Sequence, residues 1–471
     1  MNLQQLLTPK METVPDIRPL INIGCLLDIP TGTYLTGANG ESILNGGLGS
    51  MMSVVGIGNS FKSTILHYMM LSAADKILAT NETSMSTYDT ELNIHISRLD
   101  AFTKGFERLK DKEVMGSLWT VTDKSIYSGN EWYEKLKEFL KAKADAKKQL
   151  LRTTPFIDRA SKPVTMMIPT FTEVDSFSEF DTDSANKMQD ENELGESGAN
   201  TLHLRLNLAK TSFLNEINKY LNTGTHYLLT TAQLGKETVI ATGPGPQPIN
   251  KKLQHLKNGD KIKGVPDKYY FLNSALYQVV NASPLINQGT KGPEYPKNPD
   301  ENRAYDTDLN VAVLRQLRSK SGISGNTVEI IVSQHDGVLP SLTEFHYIKS
   351  MDRFGINGSL QHYSLDLLPD VKLSRTTVRS KIDSDPLLRR ALNITAELCQ
   401  MHVYMRKHSE FLCTPKELYD DLIKLGYDWN VLLNTRGWWT LDNDKFEVPF
   451  LSTLDLLKMR KGVYKPYWLK G

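Results

Sequence analysis

The chain has 471 residues, of which 40% are hydrophobic and 23% charged; this length and composition exclude a small disulfide-stapled scaffold and are typical of two or three globular domains. No run approaches the ~18 uninterrupted apolar residues that a membrane span needs, so we expect no membrane contact. With 55 basic against 54 acidic residues the formal charge is +1, so any contact with nucleic acid has to be local.

The amino-terminal residues lack the basic start, long apolar run and small-residue cleavage site of a secretory signal. This predicts a cytoplasmic protein, or one in the host cytoplasm if a phage encodes it. Cys25, Cys399 and Cys413 are far apart in sequence, so neither a disulfide framework nor a zinc site is indicated. We expect buried free thiols.

A short apolar strand, a glycine-bearing turn and a helix that begins near Lys62 follow one another after Ser50. Glycines let successive N–H groups and the helix amino terminus face a polyphosphate, while the Lys62 ammonium adds charge and the Ser63 hydroxyl is suited to Mg²⁺. Phe61 stands where the strict phosphate-loop pattern has its last glycine, so an ordinary turn before a core helix remains the alternative. The predicted nucleotide-binding residues are Gly56, Gly58, Asn59, Ser60, Phe61, Lys62, Ser63 and Thr64.

Two later strands end in carboxylates. Glu91 follows a strand that begins near Met85 and is our candidate general base, placed to polarise a water for attack on a γ-phosphate. Asp175 leaves the β-rich stretch that begins at Pro163, and its carboxylate is suited to hold the water shell of Mg²⁺. The alternatives are a helix-start carboxylate for Glu91 and a loop cap for Asp175. Pro169 interrupts the second stretch and is unfavourable in a central strand.

Two segments between these motifs are strongly charged. The stretch from Glu131 to Arg152 has seven Lys/Arg and apolar residues about one helical turn apart, which predicts an amphipathic helix with a solvated face. The stretch from Glu179 to Glu196 has seven acids and only Lys187 opposing them, which predicts a loop that repels phosphate.

A further strand, from His226 to Gln233, ends in a neutral amide directly before a Gly/Lys-rich loop. We expect Gln233 to contact the γ-phosphate and to order the loop behind it. The loop combines glycines and prolines, lysines and the aromatic run Tyr269 to Phe271, so it is the best local polyanion site; the alternative is a solvated loop whose aromatics lie in the core. The predicted DNA-binding residues are Lys251, Lys252, Lys257, Lys261 and Lys263.

These motifs resemble the RecA family of recombinases, in particular its phage UvsX-like branch, across about residues 40 to 350. The run Phe61-Lys62-Ser63 matches that branch, and Tyr88-Asp89-Thr90-Glu91, Asp175-Ser176 and Gln233 match the family's strand ends in the same order. The resemblance implies a RecA-like ATPase core that uses ATP and Mg²⁺, with DNA-binding loops at about 177–200 and 234–268.

The resemblance also implies an activity that depends on assembly. A basic hairpin would place Arg318 and Lys320 on the neighbouring subunit's nucleotide, where they would act as catalytic cations; an exposed polar hairpin is the alternative. The implied partners are single-stranded DNA, homologous double-stranded DNA, further copies of the chain in a filament, and single-strand-binding and loader proteins.

The region after about residue 350 has clear helix signals. Thr414 and Glu417 form a capping-box pattern that predicts a helix over about 415–425 with Gly426 as its stop. A shorter apolar stretch from Trp429 and then G-W-W-T-L allow a helix-turn-helix with a strand-like wing. The alternative is that these tryptophans build a small core or a partner surface.

We therefore expect an α/β, RecA-like P-loop ATPase with a mainly parallel sheet, divided into an N-terminal arm (1–48), an ATPase core with DNA-binding loops (49–350) and an α-rich C-terminal domain (351–471). The expected function is an ATP-dependent DNA recombinase that forms filaments on single-stranded DNA and promotes pairing and strand exchange. Two alternatives remain open: a ring-forming replicative helicase, and a non-hydrolysing accessory or scaffold protein with a RecA-like fold.

Overall fold

The structure is a computed structural model that describes residues 15–77, 83–181, 199–237, 252–301, 303–359, 362–441 and 446–469. Helices and strands alternate through most of these ranges. Among the described helices, none combines the length and apolar character required to cross a membrane. The three cysteines are buried and free, as predicted.

The elements are numbered here in chain order. The strands are β1 (Thr33–Thr36), β2 (Ser42–Asn45), β3 (Met51–Gly56), β4 (Ser84–Asp89), β5 (Trp119–Asp123), β6 (Leu151–Ile157), β7 (Pro163–Met167), β8 (Thr170–Asp175), β9 (His226–Lys236), β10 (Asp260–Ile262), β11 (Ala275–Pro284), β12 (Leu309–Ser319), β13 (Thr327–Ser333), β14 (Gly337–Val338), β15 (Ile356–Gly358), β16 (Tyr363–Leu365) and β17 (Leu368–Leu373). The helices are α1 (Lys62–Ile77), α2 (Ile96–Thr103), α3 (Gly129–Asp145), α4 (Lys147–Leu150), α5 (Ala199–Thr223), α6 (Asp267–Leu272), α7 (Pro340–Ser350), α8 (Val378–Ser384), α9 (Pro386–Tyr404), α10 (Pro415–Lys424), α11 (Trp429–Leu433) and α12 (Thr453–Arg460).

A ten-stranded sheet forms the centre of the described chain, in the order β14-β13-β12-β11-β3-β9-β8-β4-β5 with β10 beside β9. The strands from β11 to β5 run parallel, whereas β12, β13 and β14 continue the sheet antiparallel. The predicted α/β class with a mainly parallel sheet is confirmed. Because carboxyl ends of parallel strands share one edge, the segments after β3, β4, β8 and β9 all begin there.

The central strands are buried on both faces, which is why they read as near-continuous apolar runs. Along β3, Met52 and Val54 belong to one apolar cluster and Met51 and Val55 to a second, as the two-residue alternation of a strand requires. Helix α1 packs in the first cluster. The second contains Trp132 of α3, together with apolar residues of α5.

The charged helix is shorter than the sequence predicts. Ser128 and Glu131 form a capping box, so α3 begins at Gly129. The helix was expected to continue to Arg152, but Leu151 opens β6 and pairs with Met167 of β7. Sheet pairing therefore outweighs the local helical charge pattern.

The other predicted elements differ in how well they agree with the structure. Pro169 lies between β7 and β8 rather than inside a strand, which resolves its unfavourable placement. The basic hairpin is present as β12 and β13, and Thr414 and Glu417 form the predicted capping box of α10. The expectation of helices directly after residue 350 misses the three-stranded sheet of β15, β16 and β17, two of whose strands have only three residues and so show no clear alternation.

The predicted wing is not a strand. Residues 437–441 have no regular structure, and Trp439 is fully buried, with its ring N–H donating to the Leu20 carbonyl at 2.9 Å. Trp439 also meets Phe156 edge-on at 5.2 Å. The core alternative for this tryptophan is the correct one, because its ring fills the space between β6 and the segment before β1.

The segment before β3 packs against the carboxy-terminal helices. The Ser42 N–H donates to Asp455 of α12 at 2.8 Å, and the Gln400 side chain of α9 donates to the Leu26 carbonyl at 2.9 Å. Glu344 of α7 is buried beside these helices, with the Asn393 amide donating to it at 3.2 Å. Burial raises the pKa of Glu344 to about 8.

Candidate functional site

The turn between β3 and α1 is closed by two side chains that reach back to one carbonyl. The Ser60 hydroxyl donates to the Ile57 carbonyl at 2.7 Å, and the Lys62 ammonium donates to the same oxygen at 2.6 Å. Helix α1 then begins at Lys62, so its first N–H groups have no partner within the helix and point towards the turn. A helix amino terminus of this kind favours anions.

Phe61 has a left-handed backbone conformation, with φ of +62°. This is the geometry that glycine adopts most readily, and for a residue with a side chain it costs roughly 1 kcal/mol or more. The Phe61 ring is half-buried and packs against the main apolar cluster, which offsets part of that cost. The turn therefore keeps a conformation suited to glycine although the glycine is absent.

Four neighbouring strand ends bring the predicted polar residues together. Gly56 is opposite Gln233 in the β3–β9 register, and Asp89 is opposite Asp175 in the β4–β8 register. The Gln233 side-chain amide donates to the Glu91 carboxylate at 3.3 Å. These contacts place the predicted base and the predicted sensor beside each other at the edge where the turn between β3 and α1 begins.

The carboxylates at this edge act electrostatically on Lys62. Burial lowers the pKa of Lys62, and the negative charges of Asp175 and Glu91 oppose that shift. Both carboxylates therefore act on the same ammonium group. Asp175 is itself buried and accepts a hydrogen bond from the Thr231 hydroxyl, which holds the carboxylate at the end of β8.

Asp89 is a positioning residue that the sequence interpretation did not single out. Its carboxylate accepts N–H bonds from Glu91, Asn93 and Ile94, each at 2.8 Å. These bonds fold the chain after β4 into a tight turn and fix the backbone position of Glu91. An aspartate side chain commonly accepts the backbone N–H two residues later, so the aspartate at the end of this strand was a signal for this role.

A second contact that sequence reasoning missed lies beneath the turn. His67 of α1 and Glu173 of β8 are both buried and form a 2.8 Å hydrogen bond through Nδ1. Burial would lower the pKa of His67, but the Glu173 carboxylate reverses the effect and raises it. The pair joins the helix that carries Lys62 to the strand that ends at Asp175.

The donor set at this edge fits a magnesium-bound triphosphate. Lys62 and the amino terminus of α1 suit phosphate oxygens, and the Ser63 hydroxyl with the Asp175 carboxylate supplies the oxygen ligands that Mg²⁺ prefers. Within the described ranges, no three His, Cys, Asp or Glu side chains are grouped to hold a metal.

Arg318 and Lys320 lie away from this edge, towards the amino ends of the parallel strands. Arg318 is level with Leu276 and Ser53, three residues before Gly56, a separation of about 10 Å along the strand. The Arg318 guanidinium donates to the Phe271 carbonyl at 3.3 Å, and the Lys320 ammonium to a neighbouring carbonyl at 3.1 Å. Within one copy, these cations are not brought to Lys62.

The predicted DNA-binding lysines are in part exposed on the segment after β9. Lys252, Lys257, Lys261 and Lys263 are exposed, and Lys252 forms an ion pair with Asp267 at 3.0 Å. Lys251 and most of the acidic stretch 179–196 lie outside the described residues.

The aromatic run behind these lysines is mostly core. Tyr269 and Tyr270 are buried, whereas 54% of Phe271 is exposed. The Tyr269 hydroxyl shares a 2.7 Å hydrogen bond with Thr230 of β9. The alternative of a loop whose aromatics lie in the core is thus correct for both tyrosines.

Comparison with known proteins adds no assignment. No family model matches the chain, and no curated protein matches it either.

Proposed function

We propose that this chain is an ATP-dependent DNA recombinase with a RecA-like P-loop core, which assembles on single-stranded DNA and promotes homologous pairing and strand exchange. The observation that carries the proposal is that Lys62, Glu91, Asp175 and Gln233, at or just after the ends of four adjacent parallel strands, lie at one edge of the sheet. Clefts outside the carboxyl ends of such strands are the usual ligand sites of α/β folds. The turn, the charge and the acids that nucleotide hydrolysis needs are all present at this edge.

Each side chain has a distinct task in this proposal. Lys62 attracts the β- and γ-phosphates, and Ser63 and Asp175 are the residues that would hold Mg²⁺. The bound metal ion would neutralise charge on the phosphate oxygens. Glu91, held by the Asp89 turn, accepts a proton from the attacking water. The Gln233 amide, which donates to Glu91, exchanges that partner for a γ-phosphate oxygen.

Gln233 also provides a route from nucleotide to DNA. Its strand continues to Lys236 and pairs there with β10, which carries exposed Lys261. A change in the Gln233 side chain would therefore be felt by a segment rich in lysine, which suits the DNA backbone. In this scheme ATP favours the bound state of that segment and hydrolysis releases it.

Assembly completes the site. Arg318 and Lys320 bond carbonyls of the 271–273 segment and not the site around Lys62 in their own chain, so in this proposal they serve a nucleotide that a second copy presents. A cation supplied across the interface would stabilise charge on the transferred phosphoryl group. Hydrolysis would then require neighbours in a head-to-tail assembly, which forms a filament if it does not close.

The test is the rate of phosphate release from ATP with and without single-stranded DNA, together with electron micrographs of the same mixtures. The proposal requires stimulation by DNA, extended filaments with a slowly hydrolysed analogue, and loss of stimulation in Glu91→Gln. Closed rings would favour the helicase alternative. Nucleotide binding without phosphate release would favour the accessory or scaffold alternative.

A further inference from the structure

A buried lysine joins the two segments that follow Asp175 and Gln233. Lys210 lies on α5, with 3% of its surface exposed, and its ammonium donates to the carbonyls of Phe177, Ser178 and Gly264 at 3.0, 3.0 and 2.7 Å. A lysine has three donors, so this ammonium is fully used. Two of its acceptors follow β8 and the third follows β10.

A second set of bonds ties the same two segments to the end of β9. The Ser178 hydroxyl accepts from the Gln233 N–H at 2.8 Å and donates to the Lys263 carbonyl at 2.9 Å. The Lys263 N–H in turn donates to the Gln233 carbonyl at 2.8 Å. The backbone of Gln233 is therefore part of the junction that Lys210 closes.

The two segments approach each other more closely than side chains allow. Gly264 has φ of +63°, and a Cβ added to it would come within 2.5 Å of the Ser178 carbonyl oxygen. Glycine is needed here because any larger residue would separate the two backbones that Lys210 bridges. The junction is thus built from an ammonium, a hydroxyl and one glycine.

Electrostatics make the junction depend on both segments. Burial lowers the pKa of Lys210 to about 8, and the carboxylates of Glu179 and Asp181 oppose the shift. A buried ammonium is costly unless its donors are satisfied. If either segment moves away, the cation loses part of its partners, and the contact with the other segment becomes less favourable.

We propose that Lys210 is a positioning residue that makes the segments after β8 and β10 order and release as one unit, so that a change at Gln233 reaches both. The consequence for DNA binding rests on the proposed function. The joint, meaning the hydrogen-bonded link between the two segments, does not rest on the proposed function, because it follows from the contacts of Lys210 and Ser178 alone.

Amide hydrogen exchange of the full chain tests the joint directly. Lys210→Met keeps the length of the side chain but removes the charge and the donors. We expect exchange to rise about tenfold or more over both 176–181 and 260–264, with β9 before Gln233 still protected. Lys219→Met is the matched control, since Lys219 is exposed on the same helix, and it should exchange like the parent. A rise in only one segment, or in neither, overturns the inference.

A second variant guards against a folding defect in the first. Ser178→Ala leaves Lys210 in place and removes the hydroxyl that links Gln233 to Lys263, so a smaller rise over the same two segments is expected. If Lys210→Met loses protection throughout the chain, Ser178→Ala becomes the deciding variant. In Ser178→Ala, a rise in amide exchange in only one of the two segments would overturn the inference.

A DNA-binding experiment tests the consequence for function, by measuring how much an ATP analogue raises the affinity for single-stranded DNA. In Lys210→Met we expect this enhancement to fall about tenfold, while the affinity for fluorescent nucleotide stays within about threefold of the parent. An unchanged enhancement overturns the coupling role. If the ATP analogue does not raise the parent's affinity for single-stranded DNA, the proposed function fails. The amide-exchange result still shows whether Lys210 links the two segments.

Discussion

The Gln233 side-chain amide donates a 3.3 Å hydrogen bond to the Glu91 carboxylate, although the two residues are 142 positions apart in the chain. The bond exists because β9 and β4 flank β8 and all three strands end at the same edge. It joins the proposed base to the proposed sensor. A ligand that takes the amide would leave the carboxylate free to hold a water.

We expect Glu91→Gln to lower the rate of phosphate release by about 10²- to 10⁴-fold, because the amide cannot accept a proton. Nucleotide affinity should remain close to that of the parent, since Lys62 and the helix terminus are unchanged. Phosphate release and fluorescent-nucleotide titration measure the two quantities. Glu107→Gln, at an exposed position, is the control. An equal loss of affinity would remove Glu91 from the role of base.

Asp89→Asn should act through position and not through chemistry. The amide offers one oxygen in place of two, so at least one of the N–H groups of Glu91, Asn93 and Ile94 loses its acceptor. We expect kcat to fall about 100-fold, with KM for ATP within about threefold. Asp111→Asn, on the exposed surface, should behave like the parent. A change confined to KM would show that the turn serves binding.

The backbone strain at Phe61 is separable from the loss of its ring. Phe61→Gly and Phe61→Ala both delete the aromatic ring, but only alanine keeps the penalty for positive φ. We therefore expect the glycine variant to be the more stable by about 1 kcal/mol in urea unfolding. The same pair at Lys135, inside α3 and exposed, should show the opposite order, with alanine more stable. Equal stability of the two Phe61 variants would contradict the left-handed conformation.

Mixing two inactive variants tests whether Arg318 serves a neighbour. Lys62→Ala removes the nucleotide site and Arg318→Ala removes the cation, so each should hydrolyse ATP poorly alone. In an equal mixture about a quarter of the interfaces would join an intact Lys62 to an intact Arg318, if copies associate head to tail at random. Phosphate release should recover to about that fraction. No recovery in assembled mixtures would mean that Arg318 does not act across an interface.

Stability should depend on pH through Glu344. Burial raises its pKa to about 8, with Glu397 adding to the shift and Lys76 opposing it. A raised carboxyl pKa means that folding binds a proton, so this contribution is complete below the unfolded pKa and is lost as pH rises through the folded value. Glu344→Gln removes the titration. Relative to the parent, the variant should gain stability between about pH 5 and about pH 8, by at most about 1.4 kcal/mol per pH unit. Thermal unfolding against pH measures this, and Glu410→Gln, which is exposed, should show no such trend.

Sequence patterns were sufficient to predict the location of residues that lie at or just after the ends of strands. Once β3, β4, β8 and β9 are taken as parallel strands, Gly56, Glu91, Asp175 and Gln233 must meet at one edge. Local signals were also sufficient for the capping box of α10. The strand ends and the capping box are both determined by residues only a few positions away along the chain.

Partners from distant parts of the chain could not be predicted in the same way. Lys210 looks like any lysine of an amphipathic helix, and its three carbonyl acceptors carry no side-chain signature. The pairing of His67 with Glu173 depends on how α1 packs on β8. Tyr269 appeared beside lysines in the sequence, yet its ring is in the core because α6 turns it inward. Such contacts are properties of tertiary packing.

The contacts of Ser42 with Asp455 and of Leu26 with Gln400 also bear on how the chain is made. While the protein emerges from the ribosome, the segment that leads into β3 has no partner for these groups until α9 and α12 have been synthesised. The segment before β3 therefore gains these two contacts only late in translation. A chain released before α12 would leave the Ser42 N–H without its Asp455 acceptor.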